Sequence, residues 1–351
     1  MRLNPALASL TPFTYCGTGY TMRLDANESC MPVPVSIMNE IAQALATELN
    51  LNCYPDDCTV ALRAAYAQAF SVDAECVVPG NGSDELINMI VGRLIAPGGV
   101  VLGVARDFGS YWSNAAIFGR NAVKLPRLSD MSFTVDMLIE GAKQHHADLV
   151  IFSNPNNPSG LQLSRADVIR LLESVTCLVV VDEAYMDFSD QSVLDLAGKY
   201  ENLIVLRTLS KAMGAAGVRI GFAVSTPALT YALRSVRDAY NVSAVDQMIA
   251  AILLRHPEYR QATLAEIARL MEIMKRRLTH IAGHATQKMI VYPSVVNFVL
   301  LWLEDARAVS DALHAQDISL RQFDEHLIRI SVAREDILNR VLDALEAILA
   351  R

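Results

Sequence analysis

Between Val77 and Val224 the chain alternates short runs that are apolar at nearly every position with stretches that are apolar only at every third or fourth. The runs are CVVPG, VVLGVA, AVKLP, LVIFSNP, CLVVVDEAY, LIVLRT and RIGFAVS. Runs this short and this apolar predict strands covered on both faces, hence a mostly parallel sheet between helices. The intervening stretches carry the helical period: in DELINMIVGRLI, Leu86, Ile87, Ile90, Val91 and Leu94 share one face. SRADVIRLLESV opens with Ser164 and Asp167 at capping-box spacing. Ahead of the block, SIMNEIAQALATEL places Ile37, Ile41 and Leu45 on one helical face. After it, Thr226-Pro227 reads as a cap with a first-turn proline, followed by nearly continuous helix to His256. A long amphipathic helix then carries Leu264, Ile267, Leu270, Met271, Met274 and Leu278 to an end at Gly283. The tail becomes strand-like in VVNFVLLWL and LIRISVA, with helix between and after, which predicts a small α+β unit joined by the extreme N-terminus.

At 351 residues and 52% hydrophobic, the chain can bury a large core, and disorder is excluded. No apolar run approaches the roughly 20 residues of a membrane helix. The N-terminal MRLNPALASLTPFTYC, with one arginine and no long apolar core, argues against a secretory signal and for a cytoplasmic protein. Net charge is −8 and the 30 Lys and Arg residues are dispersed, which argues against nucleic acid as a partner. The six cysteines, Cys16, Cys30, Cys53, Cys58, Cys76 and Cys177, form no CxxC pair; they read as reduced thiols, and no metal is expected.

Candidate chemistry sits where the strands end, which is where open α/β sheets bind ligands. GNGSDE, Gly80 to Glu85, follows a strand and opens a helix: its glycines permit a tight turn, Ser83 can cap, and the first N–H groups can hold an anion. The same segment breaks the G-x-G-x-x-G spacing of nicotinamide-binding proteins at the third glycine. NPNNPSG, Asn154 to Gly160, is a stiff turn that presents amides above the sheet. VVVDEAY places Asp182 just past a very apolar strand, where a carboxylate needs a cationic partner, with Tyr185 three residues on. TLSKAMGAAGVRIGF, Thr208 to Phe222, supplies hydroxyls at Thr208 and Ser210, an amine at Lys211 and a guanidinium at Arg219. Such a lysine can form a Schiff base with an aldehyde while the hydroxyls and arginine hold a nearby anion. Taken singly, these segments also read as a capped helix start, ordinary turn chemistry, an aspartate paired with an arginine, and a solvated lysine.

In this order the segments resemble the fold-type I pyridoxal-phosphate enzymes, and within them the histidinol-phosphate aminotransferase family. LDANES (Leu24 to Ser29), CYPDD (Cys53 to Asp57) and IRISVARED (Ile328 to Asp336) extend the likeness over nearly the full chain. The resemblance implies a large pyridoxal-phosphate-binding domain over residues 30–250, with a mostly parallel seven-stranded sheet sandwiched by helices. It also implies a smaller α+β domain from residues 1–29 and 251–351. Lys211 would carry the cofactor as an imine and move the substrate proton, and Asp182 would hold the ring nitrogen protonated. Asn157 and Tyr185 would bond the ring oxygen, with Phe108 stacked on the ring. Gly82, Ser83, Asp84, Thr208, Ser210 and Arg219 would hold the phosphate, joined by Tyr54 from the other subunit of a homodimer. Arg329, with Tyr15, Asn157 and Arg321, would bind substrate; Arg334 is a further candidate. The implied reaction is histidinol-phosphate:2-oxoglutarate amino transfer by a ping-pong route, between an amino donor and a 2-oxo acid. An aromatic or other amino-acid aminotransferase and a threonine-phosphate decarboxylase-like enzyme are the alternatives. Ser29-Cys30, Arg106-Asp107 and the shortened segment after Ile328–Val332 depart from the family's pattern, all on the substrate side.

Overall fold

The computed structural model describes Asn4, Ala6 and residues 19–350, and builds them around two sheets. In chain order the strands are β1 (Met22–Leu24), β2 (Val77–Asn81), β3 (Val100–Val104), β4 (Asn121–Leu125), β5 (Leu149–Ser153), β6 (Leu178–Asp182), β7 (Leu203–Thr208), β8 (Ile220–Ser225), β9 (Met289–Val291), β10 (Phe298–Leu303), β11 (Ile318–Gln322) and β12 (Leu327–Ser331). The helices are α1 (Val35–Thr47), α2 (Val60–Phe70), α3 (Gly82–Met89), α4 (Gly109–Ile117), α5 (Val135–Gln144), α6 (Arg165–Ser174), α7 (Pro227–Val236), α8 (Ala244–Leu254), α9 (Pro257–His284), α10 (Ala306–His314) and α11 (Glu335–Leu349).

The seven apolar runs form one seven-stranded sheet in the order β2-β8-β7-β6-β5-β3-β4. Only β8 runs antiparallel to its neighbours, so the carboxyl ends of β2, β3, β5, β6 and β7 emerge along one edge. Continuous apolarity has the expected cause. Along β6, Val179 and Val181 pack into one core and Val180 into the core on the opposite face; along β7, Leu203 and Val205 oppose Ile204 and Leu206. Successive side chains alternate, so a strand sandwiched by helices must be apolar at every position. The capping box of α6 is present, with Ser164 accepting from the Asp167 N–H.

The second sheet has the order β1-β11-β12-β10-β9, and the N-terminal strand β1 pairs parallel with β11. Its core takes Ile267, Leu270, Met271, Met274 and Leu278 from α9, as the period predicts, whereas Leu264, on the same predicted face, is only partly buried and lies outside that core. The same helix sends Tyr259 into the core of the larger sheet, so α9 ties the two together.

Two expectations fail. The segment from Thr226 to His256 is not continuous helix: α7 stops at Val236 and α8 starts at Ala244. Tertiary contacts hold the interruption open. Arg237 pairs with Asp57 at 2.9 Å, the Tyr240 N–H donates to Asp57 at 2.8 Å, and Asn241 donates to Glu85 at 2.9 Å. The helix after GNGSDE is α-helical only to Met89 and then widens into a π turn over Ile90–Leu94. Ile90 and Val91 stay buried, whereas Leu94 is only partly so.

Candidate active site

Five strand ends and the start of β8 bring the chemical residues to one cleft, lined by Ser83, Asp84, Phe108, Asn157, Asp182, Tyr185, Thr208, Ser210, Lys211 and Arg219. Each of these is a position the sequence singled out. Ser153 and Ala184 complete the lining.

Asp182 lies at the bottom of the cleft. It is the last residue of β6 and only 3% exposed. Tyr111 Oη donates to its Oδ2 at 2.8 Å, and the Ala184 N–H donates to its Oδ1 at 3.1 Å. No lysine or arginine among the described residues pairs with it. Burial therefore dominates and pushes its pKa up to about 7, against the two hydrogen bonds, with Asp107 and Asp84 adding repulsion. Asp107 has a pKa raised to about 6 by burial, and takes hydrogen bonds from the N–H of Phe108 and the hydroxyl and N–H of Ser153.

Lys211 follows β7 and reaches over the Tyr185 ring, its Nζ 5.7 Å from the ring centroid. Its ammonium donates to the carbonyl of Ala26 at 3.1 Å. Beside it lies a cluster of hydroxyl and guanidinium donors. Thr208 Oγ1 donates to Ser210 Oγ at 2.9 Å, and Arg219 Nη1 donates to Ser210 Oγ at 3.4 Å while Nη2 pairs with Asp84 at 3.3 Å. Two glycines make room. At Gly82 (φ 72°) a Cβ would stand 2.6 Å from Arg219 Nη2, and at Gly221 it would stand 2.5 Å from the Ser83 backbone nitrogen. Ser83 does not cap the helix as expected: α3 begins at Gly82, and Asn81 occupies the cap position without a side-chain bond. Instead Ser83 and Asp84 lie in the first turn, where backbone N–H groups have no intrahelical acceptor.

The smaller sheet adjoins the cleft through Asn157; neither Arg329 nor Arg321 is among the residues that line it. Arg329, buried in β12, donates through Nη1 to Asn157 Oδ1 at 2.5 Å and through Nη2 to the Asp25 carbonyl at 2.5 Å. Its Nε has no partner, and no carboxylate among the described residues pairs with it. Burial, with Arg321 adding repulsion, lowers its pKa to about 10. Arg321 stands directly opposite in the β11–β12 register, its guanidinium 5.9 Å from the Phe323 ring. Two cations facing each other across a sheet repel, so this arrangement favours an anion between them.

Other expectations fall outside the cleft. Tyr54 is 80% exposed, stacked on Tyr240 at 4.5 Å, and absent from the cleft lining. Arg334 is paired with Asp336 at the start of α11. Tyr15 lies outside the described residues. Three contributors were missed. Tyr111 lies three residues after Phe108 in the same helical turn, a spacing that could have revealed it. Ser153 ends the LVIFS strand, one residue before the NPNNPSG turn. Asn27 sits inside LDANES and reaches the Tyr185 hydroxyl, a contact no local pattern encodes.

Comparison with known proteins agrees with this geometry. The aminotransferase class I and II family profile matches residues 20–345. The chain belongs to that family. It is 34% identical to a histidinol-phosphate aminotransferase of Clostridium novyi over 93% of this chain and 91% of that protein. It is 33% identical to one of Ruminiclostridium cellulolyticum over 99% and 98% of the two chains. Among solved structures, the histidinol-phosphate aminotransferase of Sinorhizobium meliloti in complex with pyridoxal-5'-phosphate superposes with a TM-score of 0.88, at 26% identity, covering 99% of this chain and 97% of that one.

Proposed function

We propose that this aminotransferase uses pyridoxal phosphate to move an amino group between histidinol phosphate and 2-oxoglutarate. The observation that carries the cofactor is Asp182, a buried carboxylate with no cationic partner in a cleft that also holds Lys211 and the donor cluster. These residues fit the group. A protonated ring nitrogen supplies the cation Asp182 lacks, a phosphate fits Thr208, Ser210, Arg219 and the first turn of α3, and the ring fits beside Phe108. Bound there, pyridoxal phosphate supplies an aromatic electron sink for the bond-breaking step.

The chain's own residues do the rest. Asp182, hydrogen-bonded by Tyr111, would hold a proton on the ring nitrogen, and Asn157 and Tyr185 would hold the ring oxygen. Lys211 would supply the amine that holds the cofactor and the base that takes and returns the substrate proton. The relatives' substrate supports histidinol phosphate as donor, and the Arg329–Arg321 pair supports it physically, since one cationic pocket can alternate between a phosphate and a carboxylate. That alternation is what a ping-pong route requires. The exposed Tyr54 supports a homodimer in which this ring completes the partner's donor cluster. No helix among the described residues is long and apolar enough to cross a membrane, and we place the enzyme in the cytoplasm.

The test is a half-reaction. Loaded protein is titrated with histidinol phosphate, phenylalanine or threonine phosphate, and the absorbance of the bound cofactor is followed. Conversion to the amine form by histidinol phosphate at the lowest concentration supports the reading. A preference for phenylalanine, or CO₂ released from threonine phosphate, would replace it with one of the alternative activities.

A further inference from the structure

The smaller sheet imposes the direction of the hydrogen bond at Tyr185. Asn27 is 1% exposed and has a φ of 52°, a left-handed conformation that asparagine tolerates better than most residues. Its N–H donates to Ser331 Oγ at 3.1 Å, and the Ser331 hydroxyl donates back to Asn27 Oδ1 at 2.7 Å. The amide's acceptor end is thereby occupied. Its donor end, Nδ2, meets the Tyr185 oxygen at 2.8 Å. A phenol that accepts at its oxygen keeps its own proton, and no described residue takes that proton from Tyr185. The ring itself lines the cleft.

We propose that Asn27 is a positioning residue that makes Tyr185 a donor toward the cleft, and so toward an oxyanion on the bound ring. The proposal rests on the pyridoxal-phosphate reading and adds to it a residue outside the larger sheet. The chemistry is directional, because an amide has one end that only donates and one that only accepts. An aspartate at position 27 accepts at both ends and would draw the Tyr185 proton away from the cleft. A ring oxyanion deprived of that donor retains more charge, and a cationic nitrogen beside it holds its proton to higher pH.

The experiment uses holoenzyme, with the absorbance of the bound cofactor titrated against pH in wild type, Asn27→Asp, Ser331→Ala, Tyr185→Phe and the Asn27→Asp/Tyr185→Phe double variant. Asn27→Asp is expected to raise the midpoint by about one pH unit, the size of one hydrogen bond to a charged group. Tyr185→Phe should do the same, and the double variant should move no further than Tyr185→Phe alone. Ser331→Ala releases the amide to rotate and should shift the midpoint the same way by less, which preserves the test if Asn27→Asp does not fold. Unmoved midpoints in Asn27→Asp or Ser331→Ala would overturn the proposal; with the amide turned the other way, aspartate would merely reproduce its acceptor. An Asn27→Asp shift that persists in the Tyr185→Phe background would also overturn it, because the effect would then be through-space charge. Failure of the wild-type chain to take up pyridoxal phosphate would sink the cofactor reading as well, a result distinct from any of these.

Discussion

Asp182 and Glu183 are adjacent carboxylates at the end of β6, both buried, and their surroundings treat them oppositely. Glu183 pairs with Arg207 at 3.0 Å and takes hydrogen bonds from Ser192 and Val193; Arg207 also pairs with Asp187 at 2.9 Å, which Arg260 meets at 3.4 Å. That cluster is closed: its charges cancel within the chain. Asp182 faces the cleft with hydrogen bonds but no cation, and next to the cleft Arg329 has two carbonyl acceptors but no ion-paired carboxylate among the described residues. A buried charge without a counter-charge is costly, so a fold that keeps one of each sign around a single cleft leaves the balance to ligands. The contrast separates charges that hold the fold together from charges that wait for chemistry.

The largest effect should come at the cleft's own amine. Lys211→Ala is expected to lower amino transfer by at least about 10²–10⁴-fold, the usual contribution of a positioned base, while circular dichroism and the unfolding midpoint stay near wild type. Retained turnover would remove Lys211 from the chemistry. On the closed side, Arg207→Ala removes the cationic partner of Glu183 and leaves Asp187 with Arg260 alone, and should cost about 3–5 kcal/mol in denaturant unfolding. A stable Arg207→Ala protein would break the comparison outright. The matching change beside the cleft, Arg329→Leu, should leave the cofactor-free chain as stable as wild type or more so. The same change should lower kcat/KM for histidinol phosphate by roughly 10²-fold through loss of charge-assisted bonds. Large destabilisation with intact kcat/KM would reverse the assignment.

A smaller effect lies in pH. The folded pKa of Asp182 is raised from 3.8 to about 7, so the folded chain binds the proton more tightly than the unfolded one. Stability from this group is therefore fully present below 3.8 and is lost as pH rises through about 7 in the cofactor-free protein. Asp182→Asn should flatten that fall in the unfolding midpoint, whereas Glu183→Gln should lower stability at neutral pH by weakening the closed cluster. Parallel pH profiles for wild type and Asp182→Asn would show that the carboxylate is not strained as described.

The larger sheet was legible because two-sided burial writes apolar residues at every strand position, and because each chemical motif follows its strand within a few residues. Asp182 and Lys211 needed no tertiary information beyond the convergence of strand ends. The interruption after Val236 was illegible for the opposite reason: its propensities are helical, and the contacts that break it come from Asp57 and Glu85, far away in the chain. The three-residue strands β1 and β9 exist only through their pairing and leave no period to read. Asn27 is the extreme case. Its motif was visible, but its partner Ser331 lies 304 positions away, and only the folded chain brings the two together.

The most direct measurement is borohydride reduction of the protein loaded with pyridoxal phosphate, followed by peptide mapping. The account predicts a fixed label on the peptide bearing Lys211 and none in Lys211→Ala. A label on another lysine, or no label on a protein that has bound the cofactor, would contradict it.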